Sequence, residues 1–220
     1  MATAVAMNVA ASGKIPWRGV VTSVQPRIRL TRSFDERQHS YLGFTLSLSG
    51  RIGDEDRAFT VAIGKGAQGK HAFRVGDEVS GQSVLVADPK REVGEFHKTS
   101  ALKLVARGDA PPPEPPPFGG VPPALETYRA RGHRRLDART FAGSCAGCIW
   151  GCRMPVEIII DQWKPSRRQH RFETFCYGPK GCPSYKAGPP RTVPGRKKGM
   201  VYTEEDWVDE DATSHRGPDE

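Results

Sequence analysis

The chain lacks the features that mark a membrane or secreted protein. No apolar run in its 220 residues approaches the ~20 residues that a helix needs to span a bilayer. No basic residue precedes Lys14, so the charged start of a secretory signal is missing. We therefore expect a cytoplasmic protein that has no membrane partner and whose N-terminus, residues 1–14, is disordered.

Catalytic signatures are missing as well. The sequence has no Gly-x-Ser-x-Gly elbow, no His-Glu-x-x-His motif and no dinucleotide fingerprint after a strand. The Gly-rich stretch 64–70 lacks the Gly-Lys-Ser/Thr ending of a phosphate-binding loop, and we interpret it as a flexible basic loop. We expect Glu157 and Glu173 to pair with nearby arginines. These observations favour a binding protein over an enzyme, and we assign no catalytic residue.

Cysteine is absent from the first 144 residues and then occurs five times within 38. In a chain without a secretory signal, such a cluster favours a metal site over disulfide bonds. Cys145-Ala-Gly-Cys148 has the two-residue spacing that lets both thiolates bind one ion from a tight turn. Cys176 and Cys182 bound a second, wider loop that contains two glycines and a proline. The sequence therefore predicts a metal site built from two loops.

A β-hairpin is predicted between these loops, with strands at 156–163 and 170–175. Two cysteine loops bridged by a hairpin resemble the zinc-ribbon class, although the second loop has five intervening residues where two are usual. The resemblance implies Zn²⁺ in a closed, structural site with four cysteine ligands. The implied ligands are Cys145, Cys148, Cys176 and Cys182, with Cys152 as an alternate ligand.

A 4Fe-4S cluster is the alternative cofactor. The spacing Cys145-x2-Cys148-x3-Cys152 supplies three thiolates close together, and Cys176 or Cys182 would supply the fourth. Cys152 is the residue on which the choice between zinc and iron depends.

Residues 15–107 are predicted to be β structure. Leu42, Phe44, Leu46 and Leu48 alternate with polar or small residues, which indicates a half-buried strand. Further short strands are predicted at 18–24, 27–31, 59–63, 78–86 and 101–105. Five or six strands in about 90 residues favour a small closed barrel over an open sheet.

The strand rhythm and the turn Phe73-Arg-Val-Gly-Asp-Glu-Val79 resemble an OB-fold or a related small β-barrel. The resemblance implies a surface for single-stranded nucleic acid or for a protein partner. The prolines of 108–123 predict a semi-rigid spacer, or alternatively a ligand for an aromatic groove. The chain is thus predicted to be mainly β: a small OB-like β-barrel joined by a Pro-rich linker to a metal-stapled β-hairpin module, residues 124–203.

The charge is distributed unevenly. The net charge is +8, yet residues 125–203 carry 16 Lys and Arg against 5 Asp and Glu, or +11, and residues 204–220 carry −7. We expect an extended basic arm at 187–198 and a disordered acidic tail at 204–220. The tail could fold back onto the basic module and compete with an anionic ligand.

This basic module predicts a nucleic-acid partner, because cations neutralise phosphates while aromatic faces accept unstacked bases. Tyr177 and Tyr185, placed in loops, are the predicted stacking residues. The predicted nucleic-acid contacts are Arg134, Arg135, Lys164, Arg167, Arg168, Arg171, Tyr177, Lys180, Tyr185, Lys186, Arg196, Lys197 and Lys198.

The leading hypothesis is a binding protein for RNA or single-stranded DNA with a structural metal site. The alternatives are an iron–sulfur redox or sensor protein, and a scaffold that recruits protein partners through the Pro-rich linker or the acidic tail.

Overall fold

The computed structural model describes residues 13–33, 35–109, 114–161, 164, 166–195, 197, 199–204 and 207–217. Strand accounts for 48% of it and helix for 14%, so the prediction of a mainly β chain is confirmed. The strands are β1 Ile15–Arg32, β2 Arg37–Ile52, β3 Glu55–Ile63, β4 Glu78–Leu85, β5 Phe96–Ala106, β6 Arg134–Arg135, β7 Gly151–Ile159, β8 Arg168–Cys176, β9 Arg191–Pro194 and β10 Val201–Glu204. The helices are α1 Lys65–His71, α2 Leu125–Arg131, α3 Ala138–Thr140, which continues into a π-helical turn Phe141–Cys145, and α4 Trp207–Thr213. Within the described residues, no helix is long and apolar enough to cross a membrane.

Strands β1 to β5 pair in a closed cycle. β1 runs antiparallel to β2 along nearly its whole length, and residues 15–20 of β1 also pair with β4. β2 pairs with β3, β4 pairs with β5, and Val61 of β3 meets Phe96 of β5 in a parallel bridge. The hydrogen-bonded order is therefore β1–β2–β3–β5–β4 and back to β1. We call these five strands and α1 the strand ring.

The cycle depends on one long strand. The sequence predicts two strands here, at 18–24 and 27–31, whereas β1 continues through Pro26. Pro26 stays in register with Phe44 of β2, and the ladder has an irregularity on either side of it. Such irregularities bend a strand and increase its twist. β1 can therefore pair with β4 at one end and with β7 at the other.

Apolar side chains fill the interior of the strand ring. Ile28, Leu46 and Val61 are 0% exposed, and full burial of one such side chain stabilises the fold by about 1.5–3 kcal/mol. Trp17 is also buried, and its indole N–H donates to Ser83 Oγ at 2.9 Å. The ring thus has an apolar interior in which the polar atom of its buried tryptophan is hydrogen-bonded.

The prediction of a flexible loop at 64–70 is wrong, because α1 occupies this stretch. Gln68 is 4% exposed, and its side-chain amide donates to the carbonyl of Phe73 at 3.0 Å. The N–H of Ala72 closes the helix on the carbonyl of Gln68 at 2.8 Å. Glycine disfavours a helix by about 1 kcal/mol per residue relative to alanine. These hydrogen bonds and the packing of Ala67 against the core favour the helix despite that cost, and composition does not reveal either contact.

The second half of the chain extends the same sheet. β7 lies parallel to β1, with residues 156–158 beside residues 30–32. β8 pairs antiparallel with β7, and β6 pairs with β8. The two strands that the sequence predicts at 156–163 and 170–175 start earlier, as β7 and β8, and Trp163 lies outside the described residues. One eight-stranded sheet therefore includes strands from both halves.

The C-terminal residues pack onto this second half, whose described residues from 114 to 217 we call the cysteine segment. β9 pairs with β10, so the predicted extended arm at 187–198 is wrong. α4 lies within the predicted disordered tail at 204–220, and Arg216 beyond it is 6% exposed. The Arg216 guanidinium donates to the carbonyls of Tyr177 and Gly178 at 3.2 and 3.0 Å. These bonds anchor the tail, which is therefore ordered over 207–217.

Candidate metal centre and cationic surface

Four of the five cysteines line one cavity, which we call the cysteine cavity. Cys145 ends the π-helical turn, Cys148 lies in the turn that follows, Cys176 ends β8, and Cys182 lies in the next loop. These four cysteines are the residues that the zinc-ribbon resemblance implies as ligands, and their lining of one cavity is what the structure shows. The other residues lining the cavity are Pro116, Pro117, Phe118, Ser144, Trp150, Gly151, Gly178, Ser184 and Tyr185.

The Pro-rich linker supplies one wall of the cysteine cavity. Phe118 packs against the buried cysteines, and its carbonyl accepts the N–H of Ile149 at 2.9 Å. This part of the predicted 108–123 spacer is therefore packed against the cysteine segment. Residues 110–113 lie outside the described part of the chain.

A glutamine of the strand ring holds the first cysteine loop. The side-chain amide of Gln25, on β1, donates to the carbonyls of Cys145 and Cys148, each at 2.9 Å. Sequence reasoning missed Gln25, because nothing local connects it to cysteines 120 positions away. The contact fixes the loop against β1.

Backbone N–H groups point at two of the four sulfurs. The N–H of Gly178 donates to Cys176 Sγ at 3.4 Å, and the backbone around Cys148, that of Trp150 first, acts to lower the pKa of its thiol. Hydrogen bonds of this kind favour a thiolate. Burial acts in the opposite direction and is the larger effect, so the pKa values of Cys148 and Cys176 are raised.

The pKa of Cys145 shows most clearly that ionising these buried thiols is unfavourable. Burial, with repulsion from Cys148, Cys176 and Cys182, raises the pKa of Cys145 to about 12. A bound cation reverses such a shift, because a coordinating thiol is deprotonated outright. Among the described residues, no three His, Cys, Asp or Glu side chains are placed to hold a metal ion as they stand. Metal binding by these cysteines is therefore a proposal.

Cys152 lies apart from the other four cysteines. It is 0% exposed on β7 and packs in the same core as Met154 and Val156. Its sulfur donates to the carbonyl of Pro26 at 3.4 Å. The structure does not bring Cys152 to the cysteine cavity, so the three-thiolate spacing that suggested an iron–sulfur cluster is not assembled there.

Three predicted nucleic-acid contacts support the second cysteine loop instead. The Arg134 guanidinium donates to the carbonyls of Pro179 and Lys180 at 2.9 and 3.2 Å, and its Cζ lies 3.8 Å from the ring centroid of Tyr185. The Tyr185 hydroxyl donates to the carbonyl of Arg135 at 2.8 Å. Lys180 Nζ donates to the carbonyl of Arg216 at 3.1 Å. These side chains fix the loop that carries Cys182.

The prediction that Arg135 and Tyr177 offer a free surface is wrong. Arg135 is 2% exposed and donates to the Glu204 carbonyl at 3.3 Å. Tyr177 is 0% exposed, and its ring meets Tyr128 edge-on with centroids 5.3 Å apart. Both are buried because α2, α4 and β6 pack around the end of β8, a contact between distant parts of the chain.

Two further predicted cations are held by carboxylates. Arg171 forms a 2.5 Å ion pair with Glu173, and Arg168 forms an ion pair with Glu157. The expectation that Glu157 and Glu173 pair with arginines is therefore confirmed. Arg168 remains partly exposed beside the turn that joins β7 to β8.

The remaining predicted cations are exposed. Lys164 and Arg167 lie in the turn between β7 and β8, which we call the hairpin tip, and Lys186 and Lys197 lie in later loops. None of these four forms an ion pair with the acidic residues that the structure describes. Arg196 and Lys198 lie outside the described residues.

The chain matches no protein-family model, no curated protein and no solved structure. The residues of the chain itself therefore carry every inference about its function.

Proposed function

We propose that the protein binds single-stranded RNA or DNA through the cationic surface of the cysteine segment, and that Zn²⁺ bound by the four cavity cysteines stabilises that segment. The observation that carries the proposal is the pair of exposed cations in the hairpin tip, Lys164 and Arg167, which form no ion pair with the described acidic residues and lie in a region of net charge +11. Surface charge of one sign at this density exceeds what solubility requires. Lys and Arg that neutralise phosphates release counterions and supply sequence-independent affinity.

The pairing order of the strand ring supports this proposal. The strand ring is a five-stranded cycle with the order β1–β2–β3–β5–β4, and this supports the proposed likeness to the five-stranded OB-fold. OB-folds bind oligonucleotides through strand faces and loops. The cysteine segment continues the ring through β7, so both parts belong to one binding protein.

Zinc is the proposed metal because the cysteine cavity is lined by four thiols and Cys152 is elsewhere. Four cysteines complete a tetrahedral site and leave no position for water, so the ion would be structural. The wall contributed by Phe118 and Trp150, and the N–H groups directed at sulfur, suit a buried anionic site.

The test is binding of a fluorescein-labelled single-stranded oligonucleotide, measured by fluorescence anisotropy at several salt concentrations. We expect log K to fall linearly with log salt, with a slope of roughly −0.7 per phosphate contact. The variant Lys164→Gln/Arg167→Gln should weaken binding and flatten this slope. The matched control Lys65→Gln/Lys70→Gln removes two exposed charges from α1 and should leave the slope unchanged. Absence of salt-dependent binding by the wild type would overturn the proposal in favour of a protein scaffold.

A further inference from the structure

An open groove of about 550 Å³ lies between the helical turn that ends at Cys145 and strands β7, β8 and β9. It is separate from the cysteine cavity and from the hairpin tip. One side consists of small and aromatic residues, and the other carries charged and polar side chains of β7, β8 and β9. The lining residues are Ala138, Phe141, Ala142, Ala146, Arg153, Phe172, Glu173, Thr174 and Arg191.

A guanidinium and an aromatic ring form a stacked pair in this groove, which we call the shelf. Arg153 Cζ lies 4.0 Å from the ring centroid of Phe172. Arg153 is exposed and pairs with none of the described acidic residues, and Phe172 is only partly buried. Phe141, on the opposite wall, is also partly buried. Two partly exposed phenyl rings, those of Phe172 and Phe141, thus line one groove.

The wall behind the shelf is electropositive, although Glu173 belongs to it. This carboxylate is 1% exposed and has three guanidinium neighbours, Arg32 at 3.8 Å, Arg171 at 2.5 Å and Arg191 at 3.6 Å. One negative charge therefore faces three positive charges, of which Arg32 also contacts Glu204. With the unpaired Arg153 added, the groove favours an anionic ligand that also has an aromatic face.

We infer that this groove is a subsite for one unstacked nucleotide of a bound single strand. The base would stack on the Arg153 guanidinium, which lies over the Phe172 ring, and would pack against Phe141, while the N–H edge of the same guanidinium would contact the phosphate. Bases stack on aromatic side chains and guanidinium planes, and phosphates pair with arginine. Alanines 138, 142 and 146 keep the opposite wall low enough to admit a flat ring. The inference rests on the proposed function and adds to it the recognition of a base, as distinct from the phosphate contacts at the hairpin tip.

The test measures the affinity for two single-stranded oligonucleotides of about 12 nucleotides. One carries bases, and the other is abasic with the same length and charge. Phe172→Leu keeps an apolar side chain but removes the ring. We expect it to weaken binding of the base-bearing strand roughly tenfold, with an unchanged salt slope and no effect on the abasic strand. Lys164→Gln/Arg167→Gln should instead weaken both strands alike and flatten the slope.

Arg153→Gln is the second variant, because Arg153 is exposed and its loss leaves the core intact. It should weaken both strands and reduce the salt slope by roughly 0.7. The subsite would be overturned if the wild type bound the base-bearing and abasic strands with equal, salt-dependent affinity and if Phe172→Leu left both affinities unchanged. The proposed function would stand in that case. A wild type that binds neither strand would overturn both.

Discussion

The strand ring and the cysteine segment share one sheet and one apolar core, but only the cysteine segment has a second interior cluster, of a different kind. The shared core is built from aliphatic and aromatic side chains, with residues such as Ile28, Leu46 and Val61 fully buried. The cysteine segment has a second cluster that consists of Leu136 and three buried cysteines, Cys145, Cys148 and Cys176. Apolar burial stabilises a fold without any ligand. Buried thiols and charges depend on their partners, so the two regions should respond differently to chelation, mutation and pH.

The largest difference is expected on removal of metal. A structural zinc ion contributes on the order of 10 kcal/mol of binding free energy in small domains. We expect anaerobically purified protein to contain one zinc per chain, without an absorption band near roughly 400 nm. Strong chelators should then make the cysteine segment sensitive to protease while the strand ring stays resistant.

Two cysteine variants separate a metal role from a packing role. Cys145→Ser should lose the zinc, whereas Cys152→Ala should retain it, because Cys152 lies in the shared apolar core. Metal content by elemental analysis and protease cleavage maps are the two measurements. If elemental analysis finds iron with sulfide, the cofactor is an iron–sulfur cluster and the zinc proposal is wrong. If it finds no metal, both cofactor hypotheses are wrong.

Sequence patterns predicted the strand ring well because its signal is local. Alternation of apolar residues marks strands wherever one face is buried, and each of β1 to β5 contains a predicted strand. The same signal also locates Cys152, which lies two residues before Met154 and four before Val156, both fully buried on β7. Extending the alternation back from Val156 by two steps, through Met154, would have placed Cys152 among the buried residues of β7 and apart from the four cavity cysteines.

Contacts between distant parts of the chain limited prediction in the cysteine segment. Arg135, Tyr177 and Arg216 belong to types that usually reach the surface, yet all three are buried. Their burial depends on α4 returning to pack near α2 and β6, which no local pattern indicates. The spacing of the cysteines indicated which four would line one cavity, because each cysteine loop is local. The residues that support these loops come from distant parts of the chain, so no local pattern indicates them.

The second prediction compares a buried ion pair with an exposed one. Glu173→Gln in the cysteine segment leaves three guanidinium groups without their shared charge, and loss of one partner from such a buried group costs about 3–5 kcal/mol. Urea denaturation at pH 7 should therefore show a much lower midpoint. Glu78→Gln breaks the exposed Arg18–Glu78 pair on the strand ring and should leave the midpoint unchanged. Equal shifts for the two variants would contradict the contrast between the regions.

The last prediction concerns the junction of the two regions, where the imidazole of His39, on β2, lies tilted against that of His133 with ring centroids 4.7 Å apart. Burial, followed by repulsion from Arg37 and Arg32, lowers the pKa of His39 to about 4. Burial, with repulsion from His39 and the same two arginines, lowers the pKa of His133 well below its usual value. Both rings are therefore neutral in the fold at pH 7.

The unfolded chain takes up protons on both histidines below a pKa of about 6.5, while the folded chain does not until the pH reaches the lowered values. The free energy of unfolding is thus undiminished above about pH 6.5. It falls as the pH drops from about 6.5 towards 4, by about 1.4 kcal/mol per pH unit for each histidine. Urea unfolding at pH 7.0 and pH 5.5 should reveal this loss. His39→Gln should lose about half as much between the two pH values, and both proteins carry the same cysteines, so any acid-induced metal release cancels in the difference. Identical pH dependence of the variant and the wild type would mean that the junction does not hold His39 neutral.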